Sequence, residues 1–178
     1  MKITIVRHGQ TEENYESIMQ GRSNNLMNDT GRRQCQRLRD KLKDKKFDYC
    51  YTSPLVRCVE TAFILIGDRV EMIRDDRLIE RDLGELEGKA RELYDINKYW
   101  DYELNSSYLG VESVQNIINR SKEFLDYIKA KYDDNNSILI VTHGGVFRSL
   151  RILLNNKKLT GNLYDENIEN CFYQEFEI

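Results

Sequence analysis

SILIVTHGGVFRSLRILL, residues 137–154, decides the fold. Its opening run, SILIV (137–141), is apolar at every position after the serine, as a strand buried on both faces requires. Thr142-His143 ends the run, and Gly144-Gly145 turns the chain into a helix through VFRSLRILL. The same strand-to-helix alternation extends outward from this unit. KITIV (2–6), FDYCY (47–51) and RVEMI (69–73) read as further strands. Asn28 caps a helix through GRRQCQRLRDKLK, with Cys35, Leu38 and Leu42 at helical spacing. Ser53 is expected to cap a helix with Pro54 at its first position and Val56, Val59, Ala62 and Phe63 inward. RLIERDLGELEGKA is loop-like, a helical stretch follows over 89–96, and a long helix runs from Glu112 to Tyr132. The tail CFYQEFEI alternates and reads as an edge strand, pairing with another chain or completing the sheet. These elements predict one α/β domain over residues 1–178, a three-layer α/β/α sandwich with a mostly parallel central sheet.

In such sheets ligands bind beyond the carboxyl ends of the strands. The chain holds only two histidines. His8 follows the first strand and His143 follows SILIV, so both fall at such ends. Taken alone, His8 reads first as a hydrogen-bonded loop residue. Arg7 shifts that reading, because a permanent cation beside it suits a site that receives a dianion. Gly9 lets backbone approach a ligand closely.

Composition narrows the class. The 178 residues carry 27 Lys+Arg against 30 Asp+Glu, a net charge of −3, which argues against binding nucleic acid through bulk charge. No apolar run reaches bilayer length, and MKITIVRHG meets charge and glycine too soon for a secretory signal. A cytoplasmic location is expected, with Cys35, Cys50, Cys58 and Cys171 reduced. They form no C-x-x-C pair, zinc ligands are scarce, and small buried thiols are the expectation.

Four segments in order resemble the histidine phosphatase superfamily, which includes cofactor-dependent phosphoglycerate mutases and broad phosphatases. Arg7-His8-Gly9-Gln10-Thr11-Glu12-Glu13-Asn14 is similar to its R-H-G-x-T-x-x-N opening, followed by Gln20-Gly21-Arg22. Ser53 to Ala62 resembles its S-x-x-x-R-x-x-E-T-A helix. Leu78 to Gly88 resembles its L-x-E-x-x-x-G-x-x-E-G loop, and Thr142-His143-Gly144-Gly145 its second histidine motif. Asn24, Leu26 and Asn28 depart from the family's usual Asp, Pro and Thr, and Leu86 from a common Trp.

The resemblance implies phosphoryl transfer, in which positioning and charge stabilisation dominate. His8 would attack phosphorus with one ring nitrogen while the other donates to a backbone carbonyl. Arg7 and Arg57 would hold phosphate oxygens, with His143, the Gly144 N–H and the Asn14 amide as further contacts. Gln20 and Gly21 would line the entrance. Glu80 aligns with the family's general acid. Asp82, Glu85 and Glu87 read as a solvated acidic loop. Glu112 either echoes a G-E-S element or is a helix-start carboxylate. No metal and no cofactor is required, and the partner is a small phosphorylated molecule rather than nucleic acid or membrane. The leading expectation is a phosphatase for a small phosphomonoester, loosely similar to α-ribazole phosphatases. A phosphoglycerate mutase, a protein phosphohistidine phosphatase and an inactive phospho-ligand binding module are the alternatives. The aromatic segment within about 89–112 is expected to cover the substrate.

Overall fold

The computed structural model describes residues 1–178. Five strands form one sheet in the order β3-β2-β4-β1-β5. They are β1 (Lys2–Arg7), β2 (Tyr49–Thr52), β3 (Met72–Arg74), β4 (Ser137–Thr142) and β5 (Tyr173–Glu177). Only β5 is antiparallel; it pairs with β1 from Lys2↔Glu177 to Val6↔Tyr173, so the tail completes the sheet.

The apolar run of β4 makes it the central strand. Ile138 and Ile140 face a core formed with Ile3, Ile5 and Tyr51. Leu139 and Val141 face the opposite core with Val6, Cys50 and Cys58. The first core is closed by α5 (Val114–Lys131) and α6 (Gly144–Leu154), through Ile117, Phe124, Phe147 and Leu150. The second is closed by α2 (Asp29–Lys41) and α3 (Val56–Ile66), through Leu38, Ala62 and Leu65. Alternate side chains of one strand thus hold two helical layers, which gives the α/β/α sandwich.

Local signals place most boundaries. Asn28 caps α2, its side chain accepting from Gly31 N–H at 2.9 Å. Ser113 caps α5, so that helix starts after Glu112 rather than at it. A short helix, α1 (Glu12–Tyr15), follows β1 behind a Thr11 cap. Further expectations are corrected. Ser53 does not cap α3: Leu55 is the cap residue, and Ser53-Pro54 forms the turn before it. The inward face of α3 is Cys58, Ala62, Leu65 and Ile66, with Phe63 56% exposed, because burying Arg57 and Cys58 under the sheet's carboxyl edge rotates the helix. The third strand lies at Met72–Arg74, since pairing with Cys50–Thr52 selects that register over 69–73. The helical stretch after Gly88 is split into a 3₁₀ turn at Arg91–Leu93 and α4 (Ile96–Trp100). No helix is long and apolar enough to cross a membrane.

Ile140 is fully buried. Ile140→Ala should lower unfolding free energy by about 2–5 kcal/mol in urea titration. A loss below about 1 kcal/mol would contradict its central place in the core.

Candidate active site

The parallel register of β1 and β4 ends at Arg7↔Thr142, so the next residues, His8 and His143, emerge side by side. His8 N–H donates to Thr142 O at 2.9 Å, and the two rings stand edge to face with centroids 5.1 Å apart. His8 Nδ1 lies 2.8 Å from Gly9 O. A carbonyl only accepts, so Nδ1 carries the proton and Nε2 keeps its lone pair. Gly9 permits this: a Cβ there would sit 2.5 Å from Met27 Sδ and 2.8 Å from Gly31 O. Burial, then Arg57 and Arg7, push the His8 imidazole well below its usual 6.5. Burial, then Arg57 and His8, do the same to His143.

Two guanidinium groups share this floor. Arg57 is 1% exposed; it donates to Ser23 O at 2.6 Å and Gly21 O at 2.9 Å. Arg7 donates to Ile168 O, and burial pulls it down to about 10, still a cation at neutral pH. The Nε of each is buried with no hydrogen-bond partner in the protein. A buried N–H without a partner is costly, and an anion between the two would supply both. Asn14 stands nearby in a capping box on α1, where its Oδ1 accepts from Thr11 N–H at 3.2 Å and Asn170 Nδ2 at 3.1 Å. With its oxygen engaged, its amide N–H groups are left for the pocket.

Glu80 enters from the segment after β3. Thr142 Oγ1 donates to Leu78 O at 2.8 Å and ties that segment to the end of β4. The carboxylate accepts from Arg81 N–H at 2.7 Å and Gly145 N–H at 3.3 Å. A Cβ at Gly145 would come within 2.6 Å of Glu80 Oε1, so this approach needs glycine. Arg7, His8, Asn14, Arg57, Glu80 and Gly144 all line one pocket of about 580 Å³. The arrangement joins an unprotonated nucleophilic nitrogen, two anion-seeking arginines and one carboxylate.

The profile of the histidine phosphatase superfamily (branch 1) matches residues 3–178. The chain belongs to the histidine phosphatase superfamily. It is 35% identical over 159 residues to phosphoglycerate mutase-like protein 4 of Arabidopsis thaliana, covering 84% of this chain and 69% of that protein. It is 29% identical over 157 residues to phosphoserine phosphatase 1 of Hydrogenobacter thermophilus, covering 84% and 74%. A mycobacterial glucosyl-3-phosphoglycerate phosphatase complexed with VO3 superposes with TM-score 0.88 at 23% identity, covering 98% of this chain and 91% of that one, a likeness of fold. Homologous phosphatases support a hydrolytic phosphatase enzyme here.

In this histidine phosphatase several sequence expectations change. His143 is fully buried beneath the pocket rather than lining it, with Nε2 2.7 Å from Ser53 Oγ. Ser53 Oγ also accepts from Leu55 N–H at 3.3 Å, so it serves the turn ahead of α3 rather than the cap itself. Gly21 offers its carbonyl to Arg57, and Gln20 lines the pocket with a buried, partnerless Oε1. Glu85 is exposed as expected, but Glu87 is not a solvated loop residue. It accepts from Arg22 N–H at 2.8 Å, Ser23 Oγ at 3.1 Å and Leu83 N–H at 3.3 Å, fixing the 20–23 loop that Arg57 grips. Asp82 likewise accepts from Gly84 N–H at 2.8 Å. Glu112 pairs with Arg120 at 2.8 and 3.0 Å and accepts from Asp82 N–H, so it braces the loop instead of only starting a helix.

Three pocket residues had no role in the sequence reading. Arg81 is buried under Trp100, 4.9 Å from the ring centroid, and donates to Glu112 O and Tyr99 O. Arg148 stacks 4.1 Å from the Tyr164 centroid. Asn170 donates to His8 O at 3.0 Å as well as to Asn14. The run Ser53 to Ala62 signals Arg57 locally, whereas nothing local signals these three.

Both histidines bind a proton more weakly folded than unfolded. The unfolded chain therefore takes up protons below about pH 6.5 that the native chain refuses, and stability falls as pH drops from there. The expected slope is about 1.4 kcal/mol per pH unit for each histidine, over a window extending down to its native value. Nitrogen-15 NMR at pH 6 should find both imidazoles neutral, with His8 protonated on Nδ1. A titration midpoint near 6.5 for either ring would contradict the buried cationic floor.

Proposed function

We propose that this chain is a phosphomonoesterase for a small organic phosphate and works through a phosphohistidine on His8. The observation that carries the reading is the His8 Nε2 lone pair beside the two partnerless Nε donors of Arg7 and Arg57. Nε2 attacks phosphorus while Arg7, Arg57 and the Asn14 amide hold the phosphoryl oxygens. Glu80 gives a proton to the departing alcohol oxygen. Water then attacks the phosphohistidine, Glu80 takes its proton, and inorganic phosphate leaves. His143, held by Ser53, stabilises the developing charge from beneath, and the Gly144 end of α6 adds a favourable dipole. Gln20 and Gly21 form the entrance.

The pocket volume suits a small substrate, and its five arginines against three carboxylates suit an anionic one. We read residues 1–178 as one catalytic domain, with the 89–112 segment as substrate cover. Arg91, Tyr94, Ile96 and Trp100 reach the pocket, whereas 101–112 contribute no wall. That cover disfavours a protein phosphohistidine as substrate, and its small extent disfavours a mutase, which must exclude water while it holds the phosphoryl group. The presence of both His8 and Glu80 argues against an inactive binding module. A cytosolic location belongs to the same reading.

Hydrolysis of a generic aryl phosphate should proceed in EDTA. His8→Ala should lower kcat by about 10³-fold or more. Glu80→Gln should cost roughly 10²–10⁴-fold, with a larger loss on alkyl than on activated aryl esters. Retained turnover in His8→Ala would overturn the mechanism. A panel of phosphoserine, 3-phosphoglycerate, α-ribazole phosphate, sugar phosphates and a phosphohistidine peptide assigns the substrate. Phosphoryl exchange on 3-phosphoglycerate faster than phosphate release would favour the mutase.

A further inference from the structure

Two of the four cysteines, 136 positions apart in the chain, meet directly behind the candidate nucleophile. Cys35 Sγ on α2 lies 3.3 Å from Cys171 Sγ. Cys35 is fully buried against Thr61 and Met27, while Cys171 is half-buried. Each abuts the His8 turn. A Cβ on Gly9 would sit 2.8 Å from Cys35 Sγ. Cys171 N–H donates to Arg7 O at 3.1 Å and His8 O at 3.2 Å, and the adjacent Asn170 donates to His8 O. Cys171 also holds a left-handed backbone, φ 56°, that a side-chain-bearing residue adopts only under constraint.

We propose that Cys35 and Cys171 are a dithiol–disulfide pair, closed by hydrogen peroxide, whose closure displaces His8 and slows the site. Peroxide reaches the pair from the half-buried side. Cys171 sulfur attacks one peroxide oxygen, the O–O bond breaks, and a sulfenic acid and water form. Cys35 sulfur then attacks Cys171 sulfur and expels the hydroxyl as a second water. The two thiols lose two electrons and two protons, and the peroxide is reduced to water. The contact between them draws the Cys35 thiol below its usual value and pushes Cys171 above it, so Cys35 is the readier thiolate, and the attack of Cys171, favoured only by its access to peroxide, is the slower step. A disulfide needs about 2.05 Å between sulfurs, so the pair must close by roughly 1.3 Å. Cys35 is fixed in the core of α2, so the Asn170–Cys171 turn moves and carries its contacts to His8 O with it.

The slowing rests on the phosphohistidine reading; the disulfide does not. Purified protein treated with hydrogen peroxide should lose about 2 Da in intact mass, with the Cys35–Cys171 link found by non-reducing peptide mapping. Turnover of an aryl phosphate should fall by about 10-fold or more and return with dithiothreitol. Cys171→Ser, or Cys35→Ala if that variant folds better, should show neither change. A linkage between other cysteines, or over-oxidation of Cys171 without a link, overturns the pair. A mapped link that leaves kcat unchanged overturns its coupling to the site. Absence of turnover in the reduced protein would instead sink the catalytic reading, while the mass measurement still decides the disulfide.

Discussion

The site depends on one backbone constraint, the parallel register of β1 against β4. Pairing Arg7 with Thr142 brings residues far apart in sequence to one sheet edge and sets His8 beside His143. That register is in turn fixed by burial. Ile138 and Ile140 point into one core, Leu139 and Val141 into the other, so a shift of one residue would exchange every side chain between the two. The same apolar packing that stabilises the sandwich thus fixes the geometry of the candidate site.

Around that edge the fold tolerates a concentration of buried positive charge. Arg57 and Arg81 are nearly inaccessible, and burial lowers the proton affinity of Arg7, Arg57 and Arg81 alike. Desolvating a guanidinium costs several kcal/mol unless partners replace water. Arg81 meets that cost with Glu112 O, Tyr99 O, Tyr94 and the face of Trp100. Arg57 meets it in part through two carbonyls, and Arg7 through one, each with an Nε left over. The incomplete satisfaction of these two arginines separates them from Arg81. On the proposed reading they are poised for a ligand oxygen, and burial, reinforced by the same field, keeps both imidazoles neutral.

The sequence made this site legible wherever a residue's role follows from its neighbours in the chain. His8, Arg57, Glu80 and His143 sit at strand ends or in short ordered motifs, and the sandwich follows from strand–helix alternation. The Gly9 carbonyl that sets the His8 tautomer accords with the expected backbone acceptor. Roles set by distant packing were illegible. Ser53 looked like a cap because its partner, His143, lies 90 positions away. Glu87 looked solvated because the backbone it anchors is 65 positions back at Arg22. Asn170 and Arg148 carry no local signature, since the groups they meet at the pocket, His8 O and the Tyr164 ring, come from other segments of the chain. On α3, apolar periodicity turns Val56, Val59 and Phe63 inward because it cannot foresee that Arg57 is buried.

The central claim is that His8 accepts the phosphoryl group on Nε2. Rapid quenching of the enzyme during turnover of a ³²P-labelled phosphomonoester, followed by alkaline digestion and mass analysis, tests it most directly. The account requires an acid-labile, alkali-stable phosphoryl group on His8, linked through Nε2. Label on Nδ1, on Ser53 or Cys58, or no covalent label in an enzyme that is turning over, would contradict it.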